Sequence, residues 1–152
     1  MAEQDTPRGP LSPDDLTADS PFTLPGFFEE LAEGRLLAAV CADCGTRLIP
    51  PRPACYACGS RAVELEPQPK TGAIVSFTEV HRPPSAFVDL APFPVAIVEL
   101  DSGARLTGRV DADYADLAIG DSVRLSIREP DFDPAASLPY EEDWPLHVFE
   151  LE

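Results

Sequence analysis

Apolar residues along this chain follow two different periods, and the stretch between them follows neither. In residues 24–34, Phe27, Phe28 and Leu31 share one face at helical spacing, while Glu29, Glu30 and Glu33 are polar. Thr23 stands at the cap position, Pro25 lies in the first turn and Gly34 follows the last periodic residue, so a helix is predicted over 24–34. From residue 70 the pattern changes to short β-branched runs. Ala73–Val80, Val95–Leu100, Arg105–Val110, Val123–Arg128 and Leu146–Glu150 predict five strands. Gly72, Asp101-Ser102-Gly103 and Gly120-Asp121 punctuate them. Five short strands with this punctuation suit a small Greek-key barrel of the OB type.

The remaining segments read as connections. Residues 1–21 are polar and Pro-rich and are expected to be mostly disordered. Within them Ser12-Pro13-Asp14-Asp15-Leu16 carries a helix-start signal with little apolar follow-through. Two long connections interrupt the barrel. His81–Pro94 contains four prolines together with Phe87, Val88, Leu90 and Phe93, which is apolar for a surface loop. Glu129–Pro145 is acidic and Pro-rich, with Tyr140 and Trp144. Loops this long on a small barrel usually either bind something or stay mobile.

Between helix and barrel, four cysteines change the picture. Their spacing is Cys41-x2-Cys44-x10-Cys55-x2-Cys58, and each pair is followed by glycine, Gly45 and Gly59. Two cysteines three apart can turn both sulfurs toward one ion, and the glycine permits the positive φ that such a knuckle needs. Two knuckles supply four thiolates, a closed tetrahedral shell with no open position, which marks the site as structural zinc rather than catalytic zinc. Iron in a rubredoxin-like site is the competing occupant, because an all-sulfur tetrahedron also accepts it. The predicted architecture is therefore mainly β: a tail over 1–22, a helix and its lead-out over 23–38, a rubredoxin-like zinc ribbon over 39–66 and a five-stranded OB barrel over 67–152.

Charge bears on partners. The net charge is −16, which opposes binding to nucleic-acid phosphates. Lys70 is the only lysine, so the chain resembles proteins of salt-loving cytoplasms or the product of a GC-rich genome with acidic tails; both remain open. No run approaches the ~20 apolar residues of a membrane span. The start Met-Ala-Glu-Gln-Asp has no basic region and no apolar stretch behind it, so no secretory signal is expected. The expected setting is the cytoplasm, where thiols stay reduced and bind metal. Residues 35–61 carry Arg35, Arg47, Arg52 and Arg61 against Asp43. These arginines either hold the phosphates of a nucleotide-like ligand or pair with neighbouring carboxylates; for any single one the ion pair is the stronger reading.

Catalytic motifs are absent from the sequence. No Gly-x-Ser-x-Gly, phosphate loop, dinucleotide fingerprint or His-Glu-x-x-His occurs. His81 and His147 sit in no nucleophile or metal motif, and both read as structural.

Phe27-Phe28-Glu29-Glu30-Leu31 with Gly34-Arg35-Leu36, Cys41-Ala42-Asp43-Cys44-Gly45, Pro50-Pro51-Arg52 and Cys55-Tyr56-Ala57-Cys58-Gly59 together resemble one family. Gly72–Thr78, Leu106–Arg109 and Leu117–Asp121 resemble the barrel strands of the same family. It is the zinc-ribbon/OB-fold acyl-CoA-associated family, long catalogued as a domain of unknown function, and the resemblance spans about residues 25–150. Tyr56 stands where proline is common. The resemblance implies a non-catalytic subunit that forms a hetero-oligomer with a thiolase-like enzyme: a ketothiolase, acyltransferase or retro-aldolase. The partner would bring the nucleophile, and this chain would stabilise the complex and help bind or channel acyl-CoA. On that view Phe27, Phe28 and Leu31 face the partner, although the helix pattern alone equally suits packing on its own domain. Phe87, Val88 and Phe93 would line an acyl path, and Arg52 would contact the CoA. The competing reading is a nucleic-acid-binding zinc-ribbon/OB module, against which the net charge counts.

Overall fold

The computed structural model describes Thr17, residues 20–129 and residues 144–152. The helix-start signal at Ser12 and most of the acidic connection, with Tyr140, lie outside the described residues. The chain divides into two compact units between Gln68 and Pro69.

The first unit opens with helix α1, Leu24–Ala32. The Thr23 hydroxyl accepts from the Gly26 N–H at 3.4 Å, as its cap position requires. The helix ends two residues earlier than its apolar period suggested. Glu33 is the C-cap and Gly34 adopts φ +86°, so the Arg35 N–H reaches the Glu30 carbonyl and the Gly34 N–H reaches Leu31, both at 2.9 Å. This double closure satisfies carbonyls that the helix leaves open. A further ion pair at 2.8 Å ties the Arg35 side chain to Glu30.

α1 lies against strand β1 (Leu37–Cys41), which is flanked on either side by β2 (Arg47–Leu48) and β3 (Val63–Pro67) in an antiparallel sheet. Phe27 is 3% exposed and Leu31 is fully buried, so both side chains are covered by this chain. Only Phe28 stays half-exposed, its ring edge-on to Phe27 at 5.3 Å between centroids. Covering these two large apolar side chains gains roughly 1.5–3 kcal/mol each.

The second unit is a closed barrel of β4 (Thr71–Val80), β5 (Phe93–Leu100), β6 (Arg105–Val110), β7 (Ser122–Arg128) and β8 (Leu146–Leu151). Strands are joined in the order β4-β5-β6-β8-β7, and β7 closes back on β4. The neighbours run antiparallel except β6 and β8, which are parallel. Each of the five predicted strands is present. Burial alternates along β5 and β6, as a strand with one face in a core requires. Ile74, Val98, Val123 and Phe149 are among the most deeply buried side chains.

β4 must pair with two neighbours, β7 through Thr71–Ala73 and β5 through Gly72–Val80. A register shift between Ile74 and Ser76 bends it for this purpose. Gly72 lies where the two pairings overlap, and a Cβ there would stand 2.3 Å from the Glu99 carbonyl oxygen and 2.8 Å from the Leu100 Cα. Backbone on the facing strand cannot yield as a side-chain tip can. Gly72→Ala is therefore expected to cost about 1–3 kcal/mol in urea unfolding followed by circular dichroism. Gly34→Ala, where the space is open but φ is positive, should cost about 1–2 kcal/mol for the backbone alone. A neutral Gly72→Ala would contradict the close approach of β4 and β5.

Candidate metal centre and barrel cleft

Two turns of the same construction bring the four cysteines together. In the first, the Cys41 N–H donates to the Thr46 carbonyl and the Gly45 N–H donates to the Cys41 carbonyl, both at 2.9 Å. In the second, Cys55 donates to Ser60 at 2.8 Å and Gly59 donates to Cys55 at 2.9 Å. Gly45 and Gly59 take φ +77° and +79°, the conformation that their spacing predicted. The four sulfurs lie within 4.8 Å of one another. Cys41 and Cys58 stand 3.6 Å apart, as do Cys44 and Cys55.

These separations test what the cluster can hold. A disulfide needs about 2.05 Å between sulfurs, and none of the four cysteines is disulfide-bonded. A tetrahedral ion with ~2.3 Å metal–sulfur bonds needs its sulfurs about 3.8 Å apart. The observed 3.6 Å fits the second geometry, so the four cysteines are positioned to hold a metal ion.

Burial explains how the site holds the ribbon together. Cys41 and Cys55 are buried in one apolar cluster with Phe22, Ala39, Leu48 and Val63, while Cys44 and Cys58 are exposed. One cysteine of each pair is thus a core residue and the other closes the cluster on its exposed side. Hydrogen bonds favour the anionic form at Cys44: the Thr46 hydroxyl, 3.1 Å away, and then the Thr46 backbone N–H lower its pKa to about 6. At Cys58 the Ser60 backbone N–H acts in the same direction, but the neighbouring Cys41 and Cys44 sulfurs push the thiol up to about 12. Four thiols this close cannot all ionise without a cation among them.

The arginines nearby are structural in part. Arg47 pairs with Glu66 at 3.0 Å, and this contact and the Gln68 amide hold the Glu66 carboxyl below its usual range. With Arg35 already paired to Glu30, two of the four follow the ion-pair reading. Arg52 instead lies over the Tyr56 ring, 5.8 Å from its centroid.

A second feature belongs to the barrel. The β4–β5 connection forms a short helical turn, Ser85–Leu90, and a cleft of about 370 Å³ opens beside it. Val80, Phe87, Phe93, Val95 and Leu146 supply apolar walls, with Thr107, Gly108, Arg109 and His147 between them. Phe87 and Phe93 are thus brought together, their rings 6.4 Å apart. Val88 is 60% exposed and is not part of the lining, and Arg52 belongs to the other unit. Sequence reasoning missed Thr107, Gly108 and Arg109, because the pairing of β6 with β5 on one side and β8 on the other sets them in the cleft wall. A glycine inside a strand was the available signal. A Cβ at Gly108 would stand 2.8 Å from Phe149 and 3.1 Å from His147.

His147 is held in place rather than poised for chemistry. Its Nε2–H donates to the Thr107 carbonyl at 2.9 Å. His81, by contrast, is mostly exposed and lies 3.0 Å from Glu79.

A four-cysteine ribbon followed by a closed five-stranded barrel of OB topology defines a class of two-unit proteins with a metal-centred scaffold. Residues 28–64 match the family model described as the ChsH2 rubredoxin-like zinc ribbon domain, and residues 65–128 match the ChsH2 C-terminal OB-fold domain. A DUF35 domain-containing scaffold protein of Methanothermobacter thermautotrophicus is 38% identical over 97 residues, 62% of this chain and 72% of that protein. The chain belongs to this DUF35 family of ribbon/OB proteins. A probable enoyl-CoA hydratase alpha subunit of Thermomonospora curvata is 36% identical over 114 residues. That match takes in 74% of this chain but only 35% of the relative, so this chain corresponds to about a third of it. Among solved structures, a chain of the Ltp2-ChsH2(DUF35) aldolase superposes with a TM-score of 0.63 at 33% identity, covering 83% of this chain and 91% of that one.

Two predictions follow from this geometry. Cys41→Ser should lower bound metal well below one ion per chain and melt the ribbon, while the barrel's strand signal persists; metal analysis with circular dichroism reads both. A chain that keeps its ribbon without metal would contradict the scaffold role. The second concerns acid. Burial pushes the His147 imidazole below its usual value, with the Thr107 contact acting the other way. Unfolded, the ring gains a proton near pH ~6.5, whereas the folded ring resists until lower pH. The unfolded state then holds more protons, so stability from this group falls as pH drops below about 6.5. The stability difference between wild type and His147→Gln should shift against wild type over that window in urea titrations. A difference independent of pH would contradict the burial.

Proposed function

We propose that this chain is a non-catalytic accessory subunit of a thiolase-like acyl-CoA enzyme. Its four cysteines would hold structural zinc, and it would stabilise a hetero-oligomer and help bind the acyl-CoA. The observation that carries the reading is the 33% identity to a chain of the Ltp2-ChsH2(DUF35) aldolase across 91% of that chain. Two further observations support it. Relatives at this level of identity are named as scaffold proteins and as an enoyl-CoA hydratase subunit. Four sulfurs around one ion leave it no open position for water or substrate, which suits an ion that shapes a fold.

Within this reading Phe28, half-exposed on α1, remains a partner contact. Phe87 and Phe93 remain acyl contacts, since both line the barrel cleft. The exposed Val88 on the barrel unit and Arg52 on the ribbon unit are each proposed as CoA contacts. The zinc would be taken up in a reducing compartment such as the cytoplasm, where four unpaired thiols persist.

Co-expression with a thiolase-type subunit from the same organism tests the proposal. The two chains should co-elute in size-exclusion chromatography as one species larger than either, and carbon–carbon bond turnover should require the thiolase-type chain's nucleophile. A monodisperse lone chain that never co-elutes with that subunit would overturn the reading, as would acyl-CoA turnover by the lone chain.

A further inference from the structure

The four-cysteine cluster presents its sulfurs unequally. Cys44 and Cys58 are exposed, whereas Cys41 and Cys55 are buried at 1% and 3% exposure among Phe22, Leu48 and Val63. Two sulfur contacts cross from one knuckle to the other. Cys44 meets Cys55 and Cys58 meets Cys41, each at 3.6 Å. Each contact therefore joins an exposed sulfur to a buried one of the opposite knuckle. Both contacts have the geometry of a sulfur–sulfur hydrogen bond, so the two sulfurs of a pair point toward one another.

Thiol oxidation has two spatial requirements. An oxidant must reach one sulfur from solvent, and a second sulfur must stand close enough to displace the oxygen left on the first. The reactive form is the thiolate, and a cysteine that ligates a cation is held as thiolate. Cys44 and Cys58 meet the first requirement by their exposure. Cys55 and Cys41 meet the second: they are shielded from solvent, and each lies 3.6 Å from its exposed partner.

We infer that the cluster is a site of reversible oxidation by a peroxide, in which Cys44 and Cys58 are oxidised first and Cys55 and Cys41 resolve them as two disulfides across the knuckles. In each half the exposed thiolate attacks one oxygen of hydrogen peroxide. The O–O bond breaks, hydroxide departs and a sulfenic acid remains. The buried thiolate then attacks that sulfur, the S–S bond forms, the S–O bond breaks and a second hydroxide leaves. Two thiolates thus give up one electron each, and the peroxide ends as two hydroxides. A disulfide needs its sulfurs about 2.05 Å apart, so each pair closes by about 1.5 Å from its 3.6 Å separation. Sulfurs committed to that bond no longer act as thiolate ligands, so the disulfides and a bound ion exclude each other. The inference goes beyond the accessory role and does not rest on it, because it needs only four sulfurs positioned for a metal.

The test treats the whole zinc-loaded chain with hydrogen peroxide and reads released zinc with a colorimetric chelator. Alkylation and cleavage at Asp43 and Tyr56 then separate all four cysteines for mass spectrometry. Near-complete zinc release is expected, with Cys44 linked to Cys55 and Cys58 linked to Cys41. A dione that traps sulfenic acid, added with the peroxide, should label Cys44 and Cys58 about tenfold more than Cys41 and Cys55. Dithiothreitol with fresh zinc should restore the loaded chain. Cys55→Ser should leave the Cys44 sulfenic acid without its resolving thiol and raise the dione adduct there severalfold. If that variant does not fold, the mapping in the unaltered chain decides alone. Disulfides closed within a knuckle, Cys41 to Cys44 or Cys55 to Cys58, would overturn the inference. So would earlier trapping at the buried sulfurs, or zinc retained at peroxide concentrations that fully oxidise free cysteine. None of these outcomes alters whether the chain co-elutes with a thiolase-type subunit, so the two proposals fail separately.

Discussion

Four thiol sulfurs gathered within 4.8 Å are the constraint on which the ribbon depends. Thiolates repel one another, and a cation at their centre would turn that repulsion into attraction that contributes to folding. The sheet beneath is small: β2 has two residues, and β1 and β3 have five each. Six buried residues make up its core cluster, and two of these are the metal-facing cysteines Cys41 and Cys55. Metal site and hydrophobic core are therefore one object. A bound ion would fix the knuckles, the knuckles flank β1 and β2, and β1 provides the surface against which α1 lies.

The barrel stands on different physics. Its strands pair into a closed circuit without a free edge, so backbone satisfaction and alternating burial hold it without a metal. Closure also brings distant residues together. His147 and Thr107 are forty positions apart, yet the parallel register of β6 and β8 places the imidazole on the Thr107 carbonyl. Gly108 between them has no side chain, which lets the Phe149 and His147 rings fill that space. The cleft is thus a consequence of the strand order combined with one long first connection that carries Phe87.

Much of this was legible in the chain, for identifiable reasons. Each barrel strand is β-branched and bounded by turn residues, so local pattern and tertiary role agree. The cysteine spacing encodes its own geometry because a knuckle is a local turn. The ribbon strands were harder to see. Leu37–Cys41 is buried along nearly its whole length and so shows no alternation, and a two-residue strand has no period at all. The aromatic helix face was read correctly as apolar, but the pattern cannot say which surface covers it; Phe27 and Leu31 are covered by this chain. Phe87 and Phe93 stood out as apolar residues in a loop. Arg109 did not, because its position depends on a neighbouring strand far along the sequence.

On the proposed reading the chain is a scaffold: a ribbon whose four cysteines are positioned for a metal, followed by a barrel with an apolar cleft. That account requires the ion to be sealed by protein sulfur. X-ray absorption at the zinc edge of the purified, metal-loaded chain measures this directly. Four sulfur neighbours at about 2.3 Å and no oxygen or nitrogen neighbour are the predicted result. A shell of three sulfurs with a water-derived oxygen would mean an open, potentially catalytic metal and would contradict the account.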